Sequence, residues 1–198
     1  MGLAPLAERM RPKHISEYIG QEHLTGEGAV LRKVLESGQL HSLILWGPPG
    51  VGKTTLAYII ASELNRPFYM LSAVHSGVKD VREMIEKAKK TRFMDSPPPI
   101  LFIDEIHRFS KSQQDALLSA VENGTVVLMG ATTENPSFEV IAPLLSRCQV
   151  YVLKPLGKNE LLSILQRAIE QDVLLKKTEI RVLETEAILR YSGGDARK

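Results

Sequence analysis

Two clusters of residues could do chemistry together. Gly47-Pro48-Pro49-Gly50-Val51-Gly52-Lys53-Thr54 meets every fixed position of G-x-x-x-x-G-K-[ST], between an apolar run, Leu43-Ile44-Leu45-Trp46, and a helical pattern. Glycines let the backbone turn tightly enough for successive N–H groups to converge, and the following helix adds its free N-terminal N–H groups and positive dipole end. A polyphosphate fits there. Lys53 supplies a charge for the β- and γ-phosphates, and the Thr54 hydroxyl is placed to ligate a magnesium ion. The second cluster, Asp104-Glu105, closes the apolar run Ile100-Leu101-Phe102-Ile103. Ligand sites in open α/β sheets lie beyond the carboxyl ends of strands, so both carboxylates are expected to face the phosphate loop. Asp104 can hold the metal shell. Glu105 can take the proton of an attacking water, a role worth typically about 10²–10⁴-fold in rate.

Other polar groups are weaker on their own. Thr132, Thr133 and Asn135 stand at the end of a neighbouring apolar run and could orient water or sense a terminal phosphate, although isolated Thr and Asn are ordinary turn formers. Arg147, in Ser146-Arg147-Cys148, reads by itself as a surface ion pair. His14, His23, His41, His75 and His107 show no zinc-type spacing with Cys148 and read as structural or solvent-facing.

The elements that must position these groups alternate. Short strands are expected at Leu43 to Trp46, Phe68 to Ser72, Ile100 to Ile103, Val126 to Gly130 and Val150 to Leu153. Helices are expected from Thr25 to Gly38, Thr54 to Leu64, and Val78 to the Pro97-Pro98-Pro99 stop. Another runs from Gln113 to Glu122, where Ser112 and Asp115 resemble a capping box. Lys87, Lys89, Lys90 and Arg92 crowd one helix end and read as a solvated face rather than a nucleic-acid contact. The segment from Pro5 to His23, punctuated by Pro and Gly, reads as an arm outside the core. After Pro155 the alternation ceases and amphipathic helices follow, which sets a boundary near Leu153. The expected domains are therefore an arm at 1–23, an α/β core at 24–153 and a helical region at 154–198. The chain stops at Lys198 in what reads as the first turn of a further helix, so a longer protein is expected.

Composition narrows the class. With 25 basic and 23 acidic residues among 198, the overall charge argues neither for nor against nucleic acid, and any basic surface must be local. One cysteine excludes an internal disulfide framework and fits a reducing compartment. No apolar run approaches the roughly 18 residues that span a bilayer, so neither a membrane span nor a membrane partner is expected. A cytoplasmic setting is.

Together these motifs resemble the AAA+ ATPases, in the branch that holds clamp-loader subunits, RuvB and the RarA/Mgs/Werner-helicase-interacting-protein family. The likeness to the last rests on Pro5-Leu6-Ala7-Glu8-Arg9-Met10-Arg11-Pro12 and Ser72-Ala73-Val74-His75-Ser76-Gly77-Val78-Lys79-Asp80. It rests also on Phe102-Ile103-Asp104-Glu105-Ile106-His107-Arg108-Phe109 and Gly130-Ala131-Thr132-Thr133-Glu134-Asn135-Pro136-Ser137-Phe138. The resemblance implies a P-loop AAA+ core with a five-stranded parallel sheet flanked by helices, followed by a partial all-α lid. It implies ATP and Mg²⁺, with Gly47, Pro48, Pro49, Gly50, Val51, Gly52, Lys53, Thr54 and Thr55 around the phosphates and Thr54 and Asp104 on the metal. Thr133 falls at sensor 1, Arg147 looks like an arginine finger reaching a neighbouring subunit's ATP, and Arg197 resembles sensor 2. Backbone around Ile19 and Gly20 would hold adenine.

As partners it implies DNA at forks, gaps, junctions or ends, a single-stranded-DNA-binding protein, and further copies of the chain, a tetramer for the full-length protein. The location implied is nucleoid-associated, or nuclear in a eukaryote. Two other readings stand beside a fork-maintenance ATPase: a clamp-loader subunit, and an ATP-gated scaffold with little turnover. A GTPase or small-molecule kinase is disfavoured, because no Asn-Lys-x-Asp motif and no acceptor pocket are evident.

Overall fold

Five parallel strands form one sheet, and a computed structural model describes residues 4–73, 76–91 and 96–198 of it and its surroundings. In chain order the elements are α1 (Leu6–Arg9), α2 (Glu22–Thr25), α3 (Val30–Ser37), β1 (Leu43–Trp46), α4 (Lys53–Glu63), β2 (Phe68–Ser72) and α5 (Val78–Thr91). They continue with β3 (Ile100–Asp104), α6 (Lys111–Glu122), β4 (Val127–Thr132), α7 (Pro136–Glu139), α8 (Ala142–Leu145) and β5 (Gln149–Val152). Helices α9 (Lys158–Gln171) and α10 (Glu186–Ser192) follow. The spatial order is β2-β3-β4-β1-β5. His75 and Arg92, singled out from the sequence, lie outside the described residues.

The uninterrupted apolar runs are explained by burial on both faces, as in parallel sheets covered by helices. Leu43, Leu45, Ile100, Phe102, Val127 and Met129 point to one side, where they pack with Leu31, Leu56, Ile59 and Ile60 from α3 and α4. Ile44, Leu101, Ile103 and Leu128 point to the other, against Val81, Ile85, Leu117 and Leu144 from α5, α6 and α8. Within the sheet, the large apolar groups left exposed are on the edge strands, Met70 on β2 and Val150 and Val152 on β5.

Three expectations are corrected. The helix expected from Thr25 to Gly38 is two, α2 and α3, separated by Gly26 and Gly28; only its end at Gly38, left-handed at φ +69°, is as expected. The cap of α6 is Ser110, whose hydroxyl accepts from Gln113 N while the Gln113 side chain accepts from Ser110 N, so the helix starts two residues before the expected one. The N-terminal arm is not outside the core, because Ile15 and Tyr18 are buried in the same cluster as Leu45 and Leu56.

Candidate functional site

The carboxyl ends of β1, β3 and β4 come to one edge. Trp46 is in register with Thr132, and Ile103 with Gly130, so Gly47 and Thr133 leave the sheet at one level and Asp104 two positions before them. A cleft of about 520 Å³ opens there. It is lined by residues 49–55, Asp104, Glu105, Ile19 and Arg197, with Tyr18, Leu156 and Ile164 along its wall.

The loop after β1 is held in a shape that only glycine takes easily. Gly50 and Gly52 have φ of +73° and +95°. A Cβ on Gly52 would lie 2.7 Å from the Tyr18 hydroxyl. That hydroxyl donates to Val51 O at 3.1 Å, and burial pushes its pKa up, so Tyr18 stays a neutral donor bracing the loop from behind. Lys53 opens α4 with its side chain buried, and its Nζ donates to Gly47 O at 2.7 Å and Pro48 O at 2.8 Å. Gly47 and Pro48 therefore sit behind the cleft as acceptors for this lysine.

Burial is the main force on the charges. It lowers the Lys53 pKa, against the pull of Glu105 and Asp104. It raises that of Asp104, reinforced by the Glu105 charge and opposed by Lys53. Two adjacent carboxylates against one buried ammonium leave negative charge that a divalent cation would relieve. Thr54 and Asp104 both line the cleft, and hard oxygen donors of this kind suit magnesium. Among the described residues no group of three or more His, Cys, Asp or Glu could hold a metal, so phosphate and water oxygens would complete such a shell.

Glu105 is left-handed at φ +54°, which for a residue with a side chain is a strained conformation worth noting. It caps a 3-10 turn, Ile106–Arg108. The Thr133 hydroxyl donates to Glu105 Oε2 at 3.4 Å, which brings Thr133 to the carboxylate though not to the cleft wall. His107 Nδ1 stands 3.4 Å from the same oxygen and 2.9 Å from Thr132 Oγ1. Zinc spacing was the wrong pattern by which to judge this histidine. The usable signal was its position two residues after Glu105, in a turn short enough to fold back on the strand end.

Other expected residues lie elsewhere. Thr132 is fully buried with its hydroxyl bonded to Glu134 and His107, and Asn135 caps α7 by accepting from Ser137 N at 3.0 Å. Neither lines the cleft, so both differ from the expected water-orienting role. Gly20, left-handed at φ +83°, packs beside Leu156, where a Cβ would come within 2.9 Å of that side chain. Arg197 reaches the cleft, but its guanidinium is paired with Asp195 at 2.9 Å and 2.7 Å. Asp195 in turn rests on the phosphate loop: a Cβ on Gly50 would overlap it, and Ala196 N donates to Gly50 O at 3.2 Å. Arg147 is outside the cleft, held by Glu122 at 2.5 Å and by Pro143 O at 2.6 Å. Three ties invisible in the sequence join the arm to residues beyond β4. Arg9 forms a two-point pair with Asp172, Arg167 binds Glu17, and the Gln21 side chain makes both backbone bonds of Lys154.

Residues 43–156 match the ATPase family associated with various cellular activities, AAA. Replication-associated recombination protein A of Haemophilus influenzae is 51% identical over 196 residues, and that of Escherichia coli K12 is 49% identical over 202. Each alignment covers 98% of this chain and 44% of the relative. ATPase WRNIP1 of Dictyostelium discoideum is 48% identical over 98% of the chain and 22% of its own length. Among solved structures, the Thermotoga maritima RuvB Holliday junction branch migration motor superposes with a TM-score of 0.73 at 33% identity. That superposition covers 96% of this chain and 62% of RuvB. The chain spans less than half the length of the curated relatives it matches.

Proposed function

The chain belongs to the AAA ATPase family, and from that premise we propose that it binds ATP with magnesium and hydrolyses it as part of an oligomer acting on DNA during replication and recombination. The observation that carries this reading is the meeting of Lys53, Asp104 and Glu105 at one cleft behind a complete phosphate loop. Similarity to replication-associated recombination proteins along nearly the whole chain supports the DNA setting. Forks, gaps, junctions or ends are the DNA structures we propose, with a single-stranded-DNA-binding protein and further copies of the chain as partners.

Each residue then has a task. The loop N–H groups of 50–55 hold the phosphates, and Lys53 turns from Gly47 O and Pro48 O to neutralise them. Thr54 and Asp104 would hold magnesium, which supplies charge compensation for the phosphates. Glu105 accepts the proton of the attacking water, and Thr133, bonded to that carboxylate, positions the water. Arg197 leaves Asp195 for the γ-phosphate. Ile19 and Gly20 hold adenine through their backbone, and the helices after Leu153 form the start of a lid. Arg147 of one subunit serves the ATP of the next. No helix among the described residues is long and apolar enough to cross a membrane.

An arginine finger is worth about 10³–10⁵ in rate, so residues 1–198 alone are expected to bind ATP and turn it over poorly. The test is steady-state ATPase of the full-length protein against Arg147→Ala, with and without forked or gapped DNA, alongside nucleotide affinity. Loss of DNA-stimulated turnover with affinity intact supports the reading. Turnover indifferent both to DNA and to the substitution makes the ATP-gated scaffold the better one.

A further inference from the structure

His107 has no part in the roles above, yet it bridges the ends of β3 and β4. The Thr132 hydroxyl donates to Glu134 O at 3.1 Å and accepts from Glu134 N at 3.0 Å. With that proton on Glu134 O, the Thr132 oxygen is an acceptor toward His107, 2.9 Å away. An imidazole with its hydrogen on Nδ1 fits that acceptor, and the Glu105 carboxylate beside it favours the same tautomer. That same N–H stands 3.4 Å from Glu105 Oε2, an electrostatic contact longer than a full hydrogen bond. The ring is only 13% exposed and so is not free to swing into solvent. The Glu105 backbone, at φ +54°, sets the direction in which its side chain leaves. Thr133 and His107 both address Oε2, and among the described residues Oε1 makes no hydrogen bond.

We infer that His107 is a positioning residue for Glu105. Its Nδ1–H, anchored on Thr132, holds Oε2 so that Oε1 is left to receive the proton of the attacking water. The inference rests on Glu105 being the base of the proposed reaction. Loss of such a positioning contact lets the carboxylate wander, and misplacement by about 1 Å can cost 10²-fold.

The test is DNA-stimulated ATPase of the full-length protein carrying His107→Ala, His107→Asn, Glu105→Gln, or Glu105→Gln with His107→Ala. Asn sets an amide N–H close to where Nδ1 stood. Expected is a fall in kcat of about 10²-fold for His107→Ala with KM and nucleotide Kd within about twofold of wild type, and recovery to within about tenfold for His107→Asn. In the Glu105→Gln background His107→Ala should add nothing. A parallel loss of nucleotide affinity, no recovery in His107→Asn, or a full further loss on Glu105→Gln would overturn the inference and leave Glu105 as the base. Undiminished turnover by Glu105→Gln would instead remove the base itself, and this inference with it.

Discussion

Arg147 is held on Glu122 at 2.5 Å, a contact that the proposed reach into a neighbouring subunit would have to break. Both side chains are about two-fifths exposed, and ion pairs in such positions are worth about 0–1 kcal/mol. If Arg147 acts as proposed, Glu122→Gln is expected to raise turnover of the full-length protein by up to about fivefold, the rate equivalent of that energy, with nucleotide affinity unchanged. A fall like that of Arg147→Ala would mean that Glu122 works with the arginine and not against it. Cys148, next in the chain, has its thiol pushed up to about 12 by burial, which keeps it from acting as a nucleophile near neutral pH. The chemistry at single positions was legible where chain neighbours determine it. Lys53 and Asp104 follow from loop and strand, whereas the tasks of Thr132 and His107 depend on groups 25 residues apart.

At the level of elements, α6 shows why boundaries are harder to read than existence. Ser110-x-x-Gln113 and Ser112-x-x-Asp115 are overlapping start signals, and both suit an N-cap. The fold uses the first, closing both reciprocal bonds at Ser110, and Gln113 also donates to Ser76 O at 2.6 Å. That tertiary contact is a reason for the earlier start which no local pattern carries. Ser110→Ala should cost about 1 kcal/mol and lower the melting temperature by roughly 2–4 °C for a domain of this size. Ser112→Ala, outside the cap, should leave it within about 1 °C; equal effects would move the cap back to Ser112. β4 runs two residues further than its apolar run because Thr132 still pairs with Trp46. Polar side chains do not end a strand whose ladder partner continues.

For the whole molecule, the arm and the helices after β5 close around the cleft from both sides. Arg9 holds Asp172, whose side chain is almost fully buried, and hydrogen bonding from Arg9 pulls that carboxyl well below the usual range. A carboxyl whose pKa falls on folding adds stability above its unfolded-state value, near 4, and loses it as the pH drops through the folded-state value. Thermal melts should show Asp172→Asn less stable than wild type by a constant margin from neutral pH to about 5, narrowing below about 4. A margin unchanged down to pH 2 would remove the ion pair as its cause. The sequence by itself determined the parallel sheet and the phosphate loop, because both are written in contiguous residues: apolar runs of strand length, glycines at fixed offsets, a helix behind them. It also determined that Asp104 and Glu105 end a buried strand. Tertiary structure alone decided that Tyr18 braces the loop, that Asp195 sits on it and that His107 meets Thr132. It alone decided that Arg147 rests on Glu122. Those contacts join segments far apart in the chain, and which polar side chain meets which is set by strand order and register, not by local propensity.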